Sequence, residues 1–148
     1  MLFWPLIDRQ WRVPVILGNA RNIAAWATLA LMLCGLLVWQ PRYLGFAAST
    51  LLLAALPEEW FFRAYFMARM GKAWRANLIT SVLFAALHGL TWGLATAVLV
   101  FIPSLFYGWL YQRTQDLILL TLVHALSNLF FAVFLADSLA TWLKLYAV

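Results

Sequence analysis

The chain is 148 residues long, 66% hydrophobic and 10% charged, with a mean hydropathy of +0.89. Soluble domains carry about 25% charged residues, so these values exclude an ordinary water-soluble globule and fit one polytopic helical membrane domain over residues 1–148. The net charge of +5 does not mark a nucleic-acid binder, because the basic residues lie between apolar runs instead of along one face.

The opening MLFWPLIDRQWR places its charges after a short apolar patch, the reverse of a secretory signal. The N-terminus is therefore expected to be retained, with the first long helix as a signal anchor. Apolar runs then predict an all-α bundle of about five spans, each near the roughly 20 residues a hydrocarbon core requires. The first covers about 23–39 and stops at Gln40-Pro41. The second covers about 43–70 and is expected to tilt or break near Pro57. The third covers about 76–92, the fourth about 94–111 with Pro103 inside it, and the fifth about 117–136, followed by a short apolar tail. Trp11, Trp39, Trp74, Trp92 and Trp142 fall near predicted ends, where indole rings favour the interface. Cys34 is the single cysteine, so no intrachain disulfide can form.

The five-span reading sorts the basic residues. One side collects Arg9, Arg12, Arg21, Arg69, Lys72, Arg75 and Arg113; the other receives Arg42 and Lys144. Positive charge concentrates on the cytoplasmic side of bacterial-type inner membranes. This predicts a multi-pass plasma-membrane protein with its N-terminus cytoplasmic and its C-terminus outside. Asp8, Asp116 and Asp137 sit at segment ends and are read as solvated flanks.

Six polar residues remain at membrane depth: Glu58, Glu59, Arg63, His88, His124 and Asn128. Ionisable groups there are costly and point to function. Each also has a structural reading. Glu59 and Arg63, four apart on one helical face, can form a plain ion pair; His88 can be an interhelical donor; His124 and Asn128 can join helices. Glu58 and Glu59 diverge by about 100° around a helix and are expected to face different partners. Taken together, a carboxylate with imidazoles and an amide is a set that activates water and stabilises an oxyanion, which suggests hydrolysis.

Other intramembrane chemistries lack their signatures. No H-E-x-x-H string occurs, and no pair of aspartates lies mid-span. Lys72 and Lys144 sit at helix ends, and Ser49, Ser81, Ser104 and Ser127 lack a G-x-S-x-G setting. A glutamate-based mechanism is what remains.

Glu58-Glu59-x-x-x-Arg63, Phe84-x-x-x-His88 and His124-x-x-x-Asn128, one motif per predicted helix, resemble the pattern of the CPBP intramembrane proteases. That family includes the prenyl-protein (CAAX-box) endopeptidases and bacterial relatives linked to bacteriocin self-immunity; this chain looks like a short form of it. The resemblance implies that Glu58 activates water with help from His88, that His124 and Asn128 stabilise the oxyanion, and that Glu59 and Arg63 support them. Phe84 is expected either to wall the site and contact substrate or simply to pack. No cofactor is expected; zinc held by histidines and a glutamate is the alternative, disfavoured because the amide of Asn128 is a poor ligand. The implied partners are the lipid bilayer and a membrane-anchored polypeptide, cut near a lipidated or hydrophobic C-terminal segment, or an exported protein carrying a C-terminal sorting signal. A non-catalytic immunity or interaction protein is the competing reading. A proton-coupled transporter is a third, weakened by the absence of an internal repeat.

Overall fold

A computed structural model describes residue 8 and residues 18–71 and 73–136. Arg9, Trp11, Arg12, Lys72, Asp137, Trp142, Lys144 and the apolar tail lie outside the described residues. Five helical rods follow one another among the described residues. A 3-10 turn, Ala20–Asn22, leads into α1, Ile23–Trp39. A second such turn, Pro41–Tyr43, leads into α2, a continuous rod over 44–70. Helix α3 is Trp74–Trp92, α4 is Leu94–Thr114, and α5 is Leu117–Phe130, extended by a π-helical Phe131–Leu135. No strand occurs among the described residues. The all-α bundle follows the apolar runs.

The chain breaks where backbone chemistry demands it. Gly71 and Gly93 close α2 and α3 at φ 92°, a conformation that costs glycine little. Gln115 takes the left-handed conformation after α4, and Pro41 opens the next turn after α1.

Ala20–Trp39, Leu94–Thr114 and Leu117–Leu135 are long and apolar enough to cross a membrane. Rods α2 and α3 stand where the other two spans are expected but fall short of that apolarity. They carry the polar groups: Glu58, Glu59 and Arg63 on α2, and Asn77, Thr80, Ser81 and His88 on α3. Of the tilt or break expected near Pro57, the helix shows no break and changes its pitch instead. α2 alternates α-helical Leu44–Ser49, Leu56–Glu59 and Ala68–Met70 with π-helical Thr50–Ala55 and Trp60–Met67. Just before the proline, the Leu56 N–H donates to the Leu51 carbonyl, five residues back. A widened turn makes room for the ring and absorbs the missing N–H without ending the helix.

Short connections make successive rods antiparallel, which gathers Arg21, Arg69, Arg75 and Arg113 at one end and Arg42 at the other. Bonds across the bundle agree with this. Gln112 near the end of α4 donates to the Ala73 carbonyl ahead of α3 (3.2 Å). At the opposite end Tyr43 donates to the Ala132 carbonyl (3.2 Å) and Trp39 stacks on Phe134. Trp39, Trp74 and Trp92 are exposed at rod ends, as interfacial anchors require.

Two aspartates are not solvated flanks. Asp116 is fully buried: its Oδ2 accepts from the Asn19 N–H (3.0 Å), Asn22 Nδ2 (2.8 Å) and Trp26 Nε1 (3.0 Å), while Oδ1 caps α5 at the Leu119 N–H (2.9 Å). A carboxylate taken out of water needs such donors, and here they fasten the start of α1 to the start of α5. Asp8 accepts from the Tyr65 hydroxyl (2.8 Å) and pairs with Arg69. Helices α3 and α4 meet closely at Gly108, where a Cβ would collide with the Asn77 side chain. Asn77 Nδ2 there donates to the Leu105 carbonyl (2.9 Å).

Candidate active site

Two apolar clusters enclose the polar residues. Phe61, Phe62, Tyr65 and Phe84 pack on one side; Ala64, Met67, Tyr107, Tyr111 and Leu120 pack on the other. Between them α2 presents Glu59 and Arg63, one turn apart and both fully buried. Arg63 Nε lies 3.3 Å from Glu59 Oε2, and Nη1 lies 3.4 Å from Oε1. The Nε contact is close enough for an ion pair but out of line for a hydrogen bond. The other end of the guanidinium is firmly held. Nη2 donates to the Ser104 hydroxyl (2.7 Å) and the Ser104 carbonyl (3.1 Å), both on α4. The Phe84 ring covers the guanidinium face at 4.8 Å.

Glu59 has a second partner that motif spacing does not disclose. His124 on α5 places Nδ1 2.7 Å from Glu59 Oε1. A carboxylate accepts only, so Nδ1 carries the proton and Nε2 is the nitrogen left for chemistry. His88 on α3 is fixed in the same way: its Nδ1 donates to the Phe84 carbonyl (2.9 Å), one turn back. Both Nε2 atoms then face Glu58, at 4.0 Å from Oε1 for His88 and 3.9 Å from Oε2 for His124. These gaps exceed a direct hydrogen bond and match two groups that share one small molecule. Glu58 is 18% exposed, against 0% for Glu59. One glutamate is sealed and the other open.

The structure thus brings Glu58, Glu59, Arg63, His88 and His124 into one cluster, with Phe84 as its wall. The Phe84 ring is buried, 4.2 Å from the His88 ring and 6.3 Å from that of His124 between centroids. Asn128 enters only through its helix. It stands one turn beyond His124, half-buried, with no side-chain hydrogen bond among the described residues. The expectation that Glu58 and Glu59 face different partners needs correction. They differ in Arg63 and His88, yet both reach His124, because a single imidazole offers nitrogens on two edges. Ser104 and Tyr107 were not read as part of the site. Tyr107 stacks on His124 at 4.8 Å, and with Ser104 it occupies one face of α4 at i, i+3. A serine and a tyrosine inside an apolar span, just past Pro103, were the signal available.

The class defined by this fold and cluster is a membrane-type helical bundle with a buried glutamate–arginine–histidine centre. The family model of the type II CAAX prenyl endopeptidase Rce1-like proteins matches residues 38–130. That is well over half of the chain and every residue of the cluster, and the chain belongs to this family. It is therefore a CAAX-protease-like membrane protein. Comparison with curated proteins and with solved structures gave no match. Most of α1 precedes the matched region.

Proposed function

We propose that the chain is a glutamate-dependent intramembrane endopeptidase. It would cut a membrane-associated polypeptide near a lipidated or hydrophobic C-terminal segment. The observation that carries this reading is the Glu58 carboxylate set between two imidazole Nε2 atoms at 4.0 and 3.9 Å. A water held by Glu58 and His88 gives its proton to Glu58 as its oxygen bonds to the scissile carbonyl carbon. The carbonyl oxygen becomes an oxyanion, for which His124, protonated and braced by Glu59, and the Asn128 amide are the donors. Collapse breaks the C–N bond, and Glu58 passes its proton to the leaving amine. Arg63 supplies the counter-charge to Glu59 behind His124.

Zinc fits this donor set poorly. Ligands on a tetrahedral zinc with bonds near 2.0–2.2 Å lie about 3.4 Å apart, whereas the Glu58–imidazole separations are 3.9 and 4.0 Å. The proposed reaction therefore runs on side chains and water. The clustering of Arg21, Arg69, Arg75 and Arg113 supports a cytoplasmic placement of that end in the plasma membrane.

The test is co-expression with membrane-anchored candidates, some ending in a prenylated CAAX box and some in a hydrophobic sorting signal, followed by mass spectrometry of their C-termini. Cleavage by the parent and none by Glu58→Gln supports the reading. Equal products, or none with any candidate while a protective phenotype survives Glu58→Gln, favour the non-catalytic immunity protein instead.

A further inference from the structure

We infer that Ser104 on α4 is a positioning residue for His124, acting through a buried chain that crosses three helices. The inference rests on the hydrolytic reading above and adds to it a residue outside the three motifs. The links are continuous. The Ser104 hydroxyl and carbonyl accept from Arg63 Nη2 at 2.7 and 3.1 Å. Arg63 meets Glu59 through Nη1 and Nε at 3.4 and 3.3 Å. Glu59 accepts from His124 Nδ1 at 2.7 Å. Ser104, Arg63 and Glu59 are each fully buried, so water cannot replace any link.

The geometry makes Ser104 more than a neighbour. The shortest contact of the guanidinium is to the Ser104 hydroxyl, while its contacts to Glu59 are long and one is out of line. Ser104 therefore fixes where the guanidinium sits, and the guanidinium fixes the Glu59 carboxylate. That carboxylate decides which imidazole nitrogen bears the proton, as outer partners of functional histidines generally do. A loosened guanidinium lets Glu59 rotate, and His124 is then free to place its proton on Nε2. That tautomer gives up the Nδ1–H bond to Glu59, so the ring is no longer braced with Nε2 toward the developing oxyanion. Tyr107, one turn along α4, stacks on the His124 ring and keeps its plane. α4 thus orients α5 without touching the substrate.

Two histidines are present, His88 and His124, so protein labelled with ¹⁵N-histidine gives two imidazole patterns, which a His88→Gln sample assigns. Long-range ¹H–¹⁵N correlation in detergent micelles reads the tautomer without any protease assay. In the parent, His124 shows a protonated Nδ1. Ser104→Ala should give an averaged or reversed tautomer for His124, leave His88 unchanged, and lower kcat roughly tenfold with KM little changed. Ser81→Ala is the control. Ser81 is equally buried, with its hydroxyl donating to Asn77 Oδ1 (3.2 Å) and no hydrogen bond to Arg63 among the described residues; its loss should leave the His124 pattern intact. If Ser104→Ala does not fold, Ser104→Cys, nearly isosteric but a weak acceptor, carries the same test. A folded Ser104 variant whose His124 pattern and kcat match the parent overturns the inference. An inactive parent whose His124 tautomer still depends on Ser104 upholds the chain and sinks the proposed reaction instead.

Discussion

Neutralising each adjacent glutamate in turn separates their tasks. Glu59→Gln keeps shape but removes the charge that faces Arg63, with both side chains at 0% exposure. Leaving one member of a desolvated pair unmatched costs about 3–5 kcal/mol, and here the carboxylate also holds His124 Nδ1. That is a large part of a typical folding free energy of about 5–15 kcal/mol. Glu58→Gln meets a different environment. Glu58 is partly exposed, makes no direct hydrogen bond among the described residues, and has its nearest imidazole nitrogen 3.9 Å away. Its replacement should cost less than about 1 kcal/mol. The expected outcome is a Glu58→Gln protein that unfolds with the parent but cleaves nothing. Glu59→Gln should unfold several degrees earlier and lose activity in parallel. Nine tryptophans supply the fluorescence signal for thermal unfolding in detergent, and mass spectrometry of a cleaved substrate supplies the activity. The reasoning fails if Glu58→Gln still cleaves, or if Glu59→Gln is as stable as the parent and yet inactive. The base would then be the sealed glutamate.

Exhaustive chelation should leave cleavage by the purified enzyme intact, since the donor spacings exceed those of a zinc site; loss of activity restored by zinc alone would make His88 and His124 ligands. Asp116→Asn should weaken the attachment of α1 by about 2–4 kcal/mol, because donors that share Oδ2 would meet an amide. Limited proteolysis ahead of α1 should quicken while kcat of the folded protein stays within about twofold; a folded but inactive variant would tie α1 to the site.

The helices were legible because their limits are local. Gln40-Pro41, Gly71, Gly93 and Gln115-Asp116 interrupt the apolar runs at the places where the rods end. The response of α2 to Pro57 was not, since a break and a widened π turn both satisfy the local sequence. The aspartates misled for a related reason. Position beside a loop suggests water, but the donors that bury Asp116 come from Asn19, Asn22 and Trp26, 97, 94 and 90 residues away. No periodicity carries that information.

The site divides along the same line. Spacing within one helix foretold the Glu59–Arg63 pair. Motif order gathered His88 and His124 near Glu58, because each motif sits on its own rod. What spacing could not reach was the direction of each ring. A 100° divergence suggested separate partners for the two glutamates, and it holds for Arg63 and His88. At His124 it fails instructively. α5 crosses α2 where one imidazole can meet Glu59 through Nδ1 at 2.7 Å and approach Glu58 through Nε2 at 3.9 Å. The divergence that separates two carboxylates around a helix becomes the separation of two nitrogens around a ring. Adjacent glutamates can therefore serve one histidine in different ways, the buried one holding its Nδ1 and the open one lying beside its Nε2. A doubled glutamate is the shortest sequence that supplies both.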